Sequence, residues 1–133
     1  MPEQATMKRA RRDKREGKAP TTQAGEFVRE EMHHIREGKH GASSTKQAIA
    51  IGLSKARRAG VKLGAPPASA KATTKRSARS ASRAAASGSR RPSARRSRAT
   101  RRALKRKGYR AASHKALARQ ARSAARKRRR AAA

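Results

Sequence analysis

The chain offers one kind of chemistry in quantity: 39 lysines and arginines stand against seven acids. Fifteen of these cations form its densest runs: Arg90, Arg91, Arg95, Arg96, Arg98, Arg101, Arg102, Lys105, Arg106, Lys107, Arg126, Lys127, Arg128, Arg129 and Arg130. Guanidinium and ammonium groups bind phosphate oxygens through charge-assisted hydrogen bonds. Crowded along a chain, they displace the counterions condensed on a nucleic acid, which drives binding without any reading of sequence. These residues are therefore expected to contact nucleic acid as a diffuse cloud of charge rather than as a defined pocket. Ser89-Arg90-Arg91-Pro92 approaches the Arg-Gly-Arg-Pro core of a minor-groove hook, but Arg90 fills the place of the central glycine. Ordinary phosphate contact is the expectation there.

Other chemistry is thinly represented. His33, His34, His40 and His114 include no pair at helical i, i+4 spacing, and adjacent His33 and His34 diverge on a helix. With no cysteine in the chain, neither a metal site nor thiol catalysis is expected. Gly38-Lys39 lacks the earlier glycine and the following hydroxyl of a phosphate-binding loop. Glu30 and Glu31 are neighbours with no indication of a pocket. The expectation is a protein without enzymatic activity and without a cofactor. Phe27 and Tyr109 are the two aromatics, too few for the stacking platforms common in single-strand and RNA modules. Phe27 is expected in a core.

The acids are confined to Glu3, Asp13, Glu16, Glu26, Glu30, Glu31 and Glu37. Residues 1–37 carry +2, and the 96 residues from Gly38 onward carry +30. A segment of one sign cannot neutralise itself through internal ion pairs, so a polyanion is its expected partner. Apolar content is low: alanine supplies 31 of the hydrophobic residues, and 14 larger apolar side chains remain. Leu, Ile, Val and Phe number 10 of 133, well below the roughly 20% under which a highly charged chain is expected to be disordered. No apolar run approaches a membrane span. Lys8, Arg9, Arg11 and Arg12 are followed by no apolar stretch, unlike a secretory signal.

The elements able to position this chemistry are few on that reading. The expected fold is mostly disordered with short α-helices: a flexible arm over 1–21, a small two-helix unit over 22–64, a low-complexity basic linker over 65–98, and a basic, partly helical tail over 99–133. In the two-helix unit, Val28, Met32 and Ile35 share one helical face from about Gly25 to Glu37, capped by Thr21 or Thr22 and stopped by Gly38. Ser44-Thr45-Lys46-Gln47 matches a capping box and predicts a helix from about Thr45 to Ala59. Gly52 within it predicts the close approach of another helix. In the tail, Ser113 is placed to cap an alanine–arginine helix to about Arg130, one that anions would induce. Ser44, Lys46, Ser54, Ala56 and Arg57 match Ser113, Lys115, Ser123, Ala125 and Arg126 at a constant offset, an echo that compositional bias is sufficient to explain.

The segment Lys46-Gln47-Ala48-Ile49-Ala50-Ile51-Gly52-Leu53-Ser54-Lys55-Ala56-Arg57, with Gly25-Glu26-Phe27-Val28-Arg29 before it, resembles a family of small, highly basic bacterial proteins. They share a KQAIAIGLSKAR segment, and some are labelled plasmid stabilization protein. The tail is similar in composition to those of linker histones. The resemblance covers about 40 residues; it implies a bacterial, DNA-associated role at the nucleoid and contributes no catalytic residues. The combined expectation is a cytoplasmic protein that binds DNA, favoured over RNA, without sequence preference. Ribosome association through RNA is the alternative, as is a protein-interaction or self-association module at 22–64 tethered by the tail.

Overall fold

The computed structural model describes residues 2–88 and 93–133, and 72% of these described residues are helical. The elements run α1 (Gln4–Arg15), α2 (Pro20–Arg36), α3 (Thr45–Arg58), α4 (Ala72–Ala86), α5 (Ala94–Lys105), a 3₁₀ turn (Arg110–Ala112) and α6 (His114–Ala132). The expected mostly disordered chain is thus overturned. Helices form where an arm, a linker and an inducible tail were expected.

Alanine accounts for the difference. Among the described residues, eight of the eleven buried apolar ones are Ala10, Ala24, Ala42, Ala48, Ala56, Ala81, Ala111 and Ala112, beside Phe27, Met32 and Ile35. Counting large side chains misses a core built this way. Alanine has the highest helix propensity and loses no side-chain entropy on burial. Its small volume also lets helix backbones approach closely.

The core sits between α2 and α3, which run antiparallel: Ala24, Val28 and Met32 face Ala56, Gly52 and Ala48 in turn. A Cβ on Gly52 would lie 2.6 Å from Val28 Cα, so the expected close approach at Gly52 is what the structure has. Helix α1 packs on α2 and α4 packs on α3, and Ala10 and Ala81 are buried. Two apolar clusters result. One is local to the first three helices (Ala10, Ala24, Phe27, Ala56). The other draws Ala111 and Ala112, from the far end of the chain, against Met32, Ile35, Ala42 and Ala48.

Local signals explain the helix ends. Pro20 occupies the first turn of α2, where its missing N–H costs nothing. The helix therefore starts a turn earlier than the threonine caps suggested. Gly38 (φ +78°) and Gly60 (φ +95°) end α2 and α3 in the left-handed region. Ser44 Oγ accepts from Gln47 N at 3.1 Å as expected. The reciprocal arm of the box shifts by one residue, Gln47 Oε1 accepting from Ser43 N at 2.8 Å. Ser113 caps α6 through Ala116 N at 3.1 Å, and that helix runs to Ala132.

The second half is stitched to the first by hydrogen bonds. Gly41 N donates to Leu104 O (2.9 Å) and Ala42 N to Gly108 O (3.1 Å). Thr45 Oγ1 donates to Ala111 O (2.7 Å) and Arg36 Nε to Ala112 O (2.9 Å). Gly41 is buried against this segment: a Cβ there would collide with the Lys107 carbonyl. Among the described residues α5 packs against no other helix, and its C-terminal end is held by the Gly41 loop.

Candidate nucleic-acid interface

Helices α4, α5 and α6 present the cations. Arg95, Arg96, Arg98, Arg101, Arg102, Lys105 and Arg106 on and just after α5 are exposed, as are Arg126, Lys127, Arg128, Arg129 and Arg130 on α6. Lys107 is half-buried and donates to Gln47 Oε1 at 3.2 Å, so it serves the internal stitching instead. Arg90, Arg91 and the hook-like Ser89–Pro92 segment lie outside the described residues.

Among the described residues every ion pair uses cations at or before Lys55. None of the cations of α4, α5 or α6 has a carboxylate within reach. Such a surface holds its charge against solvent and counterions alone, the condition that favours a polyanion.

Helix α4 adds residues that the sequence reading passed over. Arg76, Arg79 and Arg83 recur at i, i+3 and i+7, and with Ser80 they line an open cleft of about 340 Å³. The spacing was visible. Treating the stretch as a linker hid the face that it makes. Phe27 is fully buried, as expected, and Tyr109 is 53% exposed.

The acids follow the opposite pattern. Glu31 is fully buried, with Oε1 accepting from Lys55 Nζ and Oε2 from His40 Nε2 at 2.9 Å. His40 Nδ1 lies 3.0 Å from Gly41 O. Both partners of this ring are acceptors, so the two bonds form together only when both ring nitrogens carry protons. His34 Nε2 donates to Glu3 Oε1 at 2.9 Å, and its Nδ1 is 3.8 Å from Glu31 Oε1. The His34 hydrogen bond lowers the Glu3 carboxyl from its ordinary value; desolvation opposes this, and the Lys39 ammonium adds to the lowering.

Glu30 is 3% exposed, and its Oε1 accepts from Glu3 N at 2.5 Å. Its Oε2 is buried without a partner, which carries a desolvation cost of roughly 1–3 kcal/mol or more.

Histidine spacing alone did not reveal these groupings. His34 and His40 meet because the chain reverses at Gly38, placing their ring centroids 6.2 Å apart. Because α2 begins at Pro20 rather than near Gly25, Glu30 and Glu31 sit in its C-terminal half. Lys55 from α3 and His40 from the loop after α2 engage the Glu31 carboxylate.

Residues 15–67 match a family of unknown function (DUF6496). The match spans α2, α3 and the loops around them and stops before α4. No curated protein and no solved structure matches the chain. Among the described residues no helix is long and apolar enough to cross a membrane.

Proposed function

We propose that this protein binds duplex DNA without sequence preference, as a nucleoid- or plasmid-associated protein, by neutralising phosphates along α4, α5 and α6. The observation that carries the reading is the separation of charge. The carboxylates are held within α1, α2 and the loops flanking them, and among the described residues the cations of the later helices have no carboxylate partner. Helix α6 extends about 28 Å at 1.5 Å per residue, long enough to lie along several phosphates. With Phe27 buried, Tyr109 is the exposed aromatic, which favours backbone contact over base stacking.

A mobility-shift titration at a series of salt concentrations tests this. If about 6–10 phosphates are neutralised, affinity falls ~10³–10⁵-fold between about 50 and 200 mM salt. Replacing Arg126, Lys127, Arg128, Arg129 and Arg130 together by Gln flattens the log–log salt slope by up to about 4–5 while leaving helix content unchanged. Absence of duplex binding at about 50 mM salt would refute the proposal. Preferential competition by RNA over duplex DNA would move the reading to an RNA-binding protein.

A further inference from the structure

Glu3, which precedes α1, and Glu30 and His34 of α2 are brought together although nothing in the sequence pairs them. Each offers a ligand atom, and the three atoms lie within 4.8 Å of one another. They line a cavity of about 250 Å³ between the start of α1 and the last turns of α2. The Glu30 carboxyl is buried there with one oxygen unpartnered. Its other oxygen accepts from Glu3 N at the start of α1.

We propose that Glu3, Glu30 and His34 form a site for a divalent transition-metal ion of the zinc class, which clips the start of α1 to the end of α2. Two carboxylate oxygens and one imidazole nitrogen make a ligand set of the kind zinc accepts, leaving one position for water. Bonds of about 2.0–2.2 Å place tetrahedral ligands about 3.3 Å apart, so side-chain rotation closes the spacing without moving the helices. On binding, His34 Nε2 gives up its proton and its hydrogen bond to Glu3 and turns its lone pair to the ion. Its other nitrogen faces Glu31 Oε1 at 3.8 Å. A carboxylate there favours the Nδ1–H tautomer that leaves Nε2 free to ligate.

Arg9, Arg29 and Lys39 line the cavity and none pairs with Glu30; Arg29 is exposed and forms no ion pair among the described residues. Arg9 is committed to Glu26 (2.5 Å) and Thr6 (3.2 Å), and Lys39 bridges Glu3 (3.5 Å) and Glu37 (3.3 Å) from an exposed position. Glu31, His34 and His40 form a second grouping with similar spacing, but it is already closed. Both Glu31 oxygens are engaged, one by Lys55 and one by His40, and both His40 nitrogens face acceptors. An ion there would have to displace Lys55, whereas at Glu30 it meets an oxygen that has no partner.

Calorimetric titration of Zn²⁺ into the nuclease-treated, full-length chain tests the site, with Mg²⁺ as the control and thermal melts in parallel. The expected result is saturable binding of one Zn²⁺ per chain with a raised Tm and no response to Mg²⁺. Glu30→Gln and Glu3→Gln each weaken Zn²⁺ at least about tenfold. Glu30→Gln keeps the acceptor for Glu3 N–H and removes the orphan charge, so the metal-free protein remains as stable as wild type or more so. His33→Gln and His40→Gln leave the affinity unchanged. The proposal is overturned if the helical wild-type protein shows no saturable Zn²⁺ binding, or if Glu3→Gln binds as wild type. Loss of binding in a folded His40→Gln protein with retention in Glu30→Gln would also overturn it. Should Glu30→Gln fail to fold, the exposed Glu3 substitution decides.

Discussion

The first three helices and the last three follow opposite rules for charge. In α1–α3 an acid goes into the interior and cations follow it: Glu31 is fully buried between Lys55 and His40, and Asp13 is 3% exposed beside Lys18. Beyond α3 the buried residues are alanines, Ala81 of α4 and Ala111 and Ala112 of the 3₁₀ turn, and the cations of α4–α6 have no carboxylate partner among the described residues. Specific geometry therefore resides in the first region, where removing one partner strands another. Redundancy resides in the second, where each arginine is one of many. A region of the first kind suits a defined site; a region of the second kind suits a polymer whose charge is delocalised.

The sharpest way to break this contrast is to remove one charge from each region. Glu31→Ala leaves Lys55 and His40 facing an emptied buried position, and stability falls by about 3–5 kcal/mol in urea denaturation. Arg128→Gln on α6 changes stability by no more than about 0.5 kcal/mol. Equal costs would show that the two regions do not differ in this way.

The junction between the regions comes next. Gly41→Ala drives a Cβ into the Lys107 carbonyl and to 2.7 Å from Gly108 O, costing about 1–3 kcal/mol. Amide exchange then accelerates at Ala111 and Ala112 while α2 and α3 stay protected. Gly52→Ala clashes instead with the Val28 backbone and exposes the amides of α2 and α3. Identical exchange patterns for the two variants would mean that the tail and the α2–α3 pair open as one unit.

Caps give a smaller effect. Ser44→Ala and Ser113→Ala each remove one side-chain bond to a helix N–H, at about 1 kcal/mol. The first lowers global stability; the second frays α6, read as lost helical signal before the main transition.

The smallest effect is at high pH. Glu16 first, then Asp13, raises the Lys18 ammonium above the ordinary lysine value. A raised folded-state value means that this stabilisation is complete below the ordinary lysine value of about 10.4. It is lost as pH rises through the folded-state value. Lys18→Met removes that portion of the alkaline fall in a pH series of denaturation midpoints. An unchanged alkaline limb would show that the Lys18 pairs contribute nothing to it.

Local features were legible in the sequence wherever their cause was local. The stop at Gly38, the Ser44 and Ser113 caps, the buried Phe27 and the close approach at Gly52 each depend on a few neighbouring residues or on helical periodicity, and all are present. The extent of order was misread because alanine was discounted as core material. The sites involving Glu3, Glu30, Glu31, His34 and His40 were not legible at all. Their members lie far apart on the chain or across a reversal, and no spacing rule connects Glu3 to Glu30.

By itself the sequence determined the confinement of acids to the first 37 residues, the +30 carried beyond them, and the helix stops and caps. These are properties of composition and of short-range backbone chemistry. Tertiary structure alone decided which acids are buried, which oxygen of Glu30 lacks a partner, and that Ala111 and Ala112 complete the core begun by Met32 and Ile35. The physical reason is that alanine's contribution depends on how closely the helices around it pack. Whether it faces water or fills an interface is set by elements far away in sequence, and alanine supplies most of the buried apolar residues among those described.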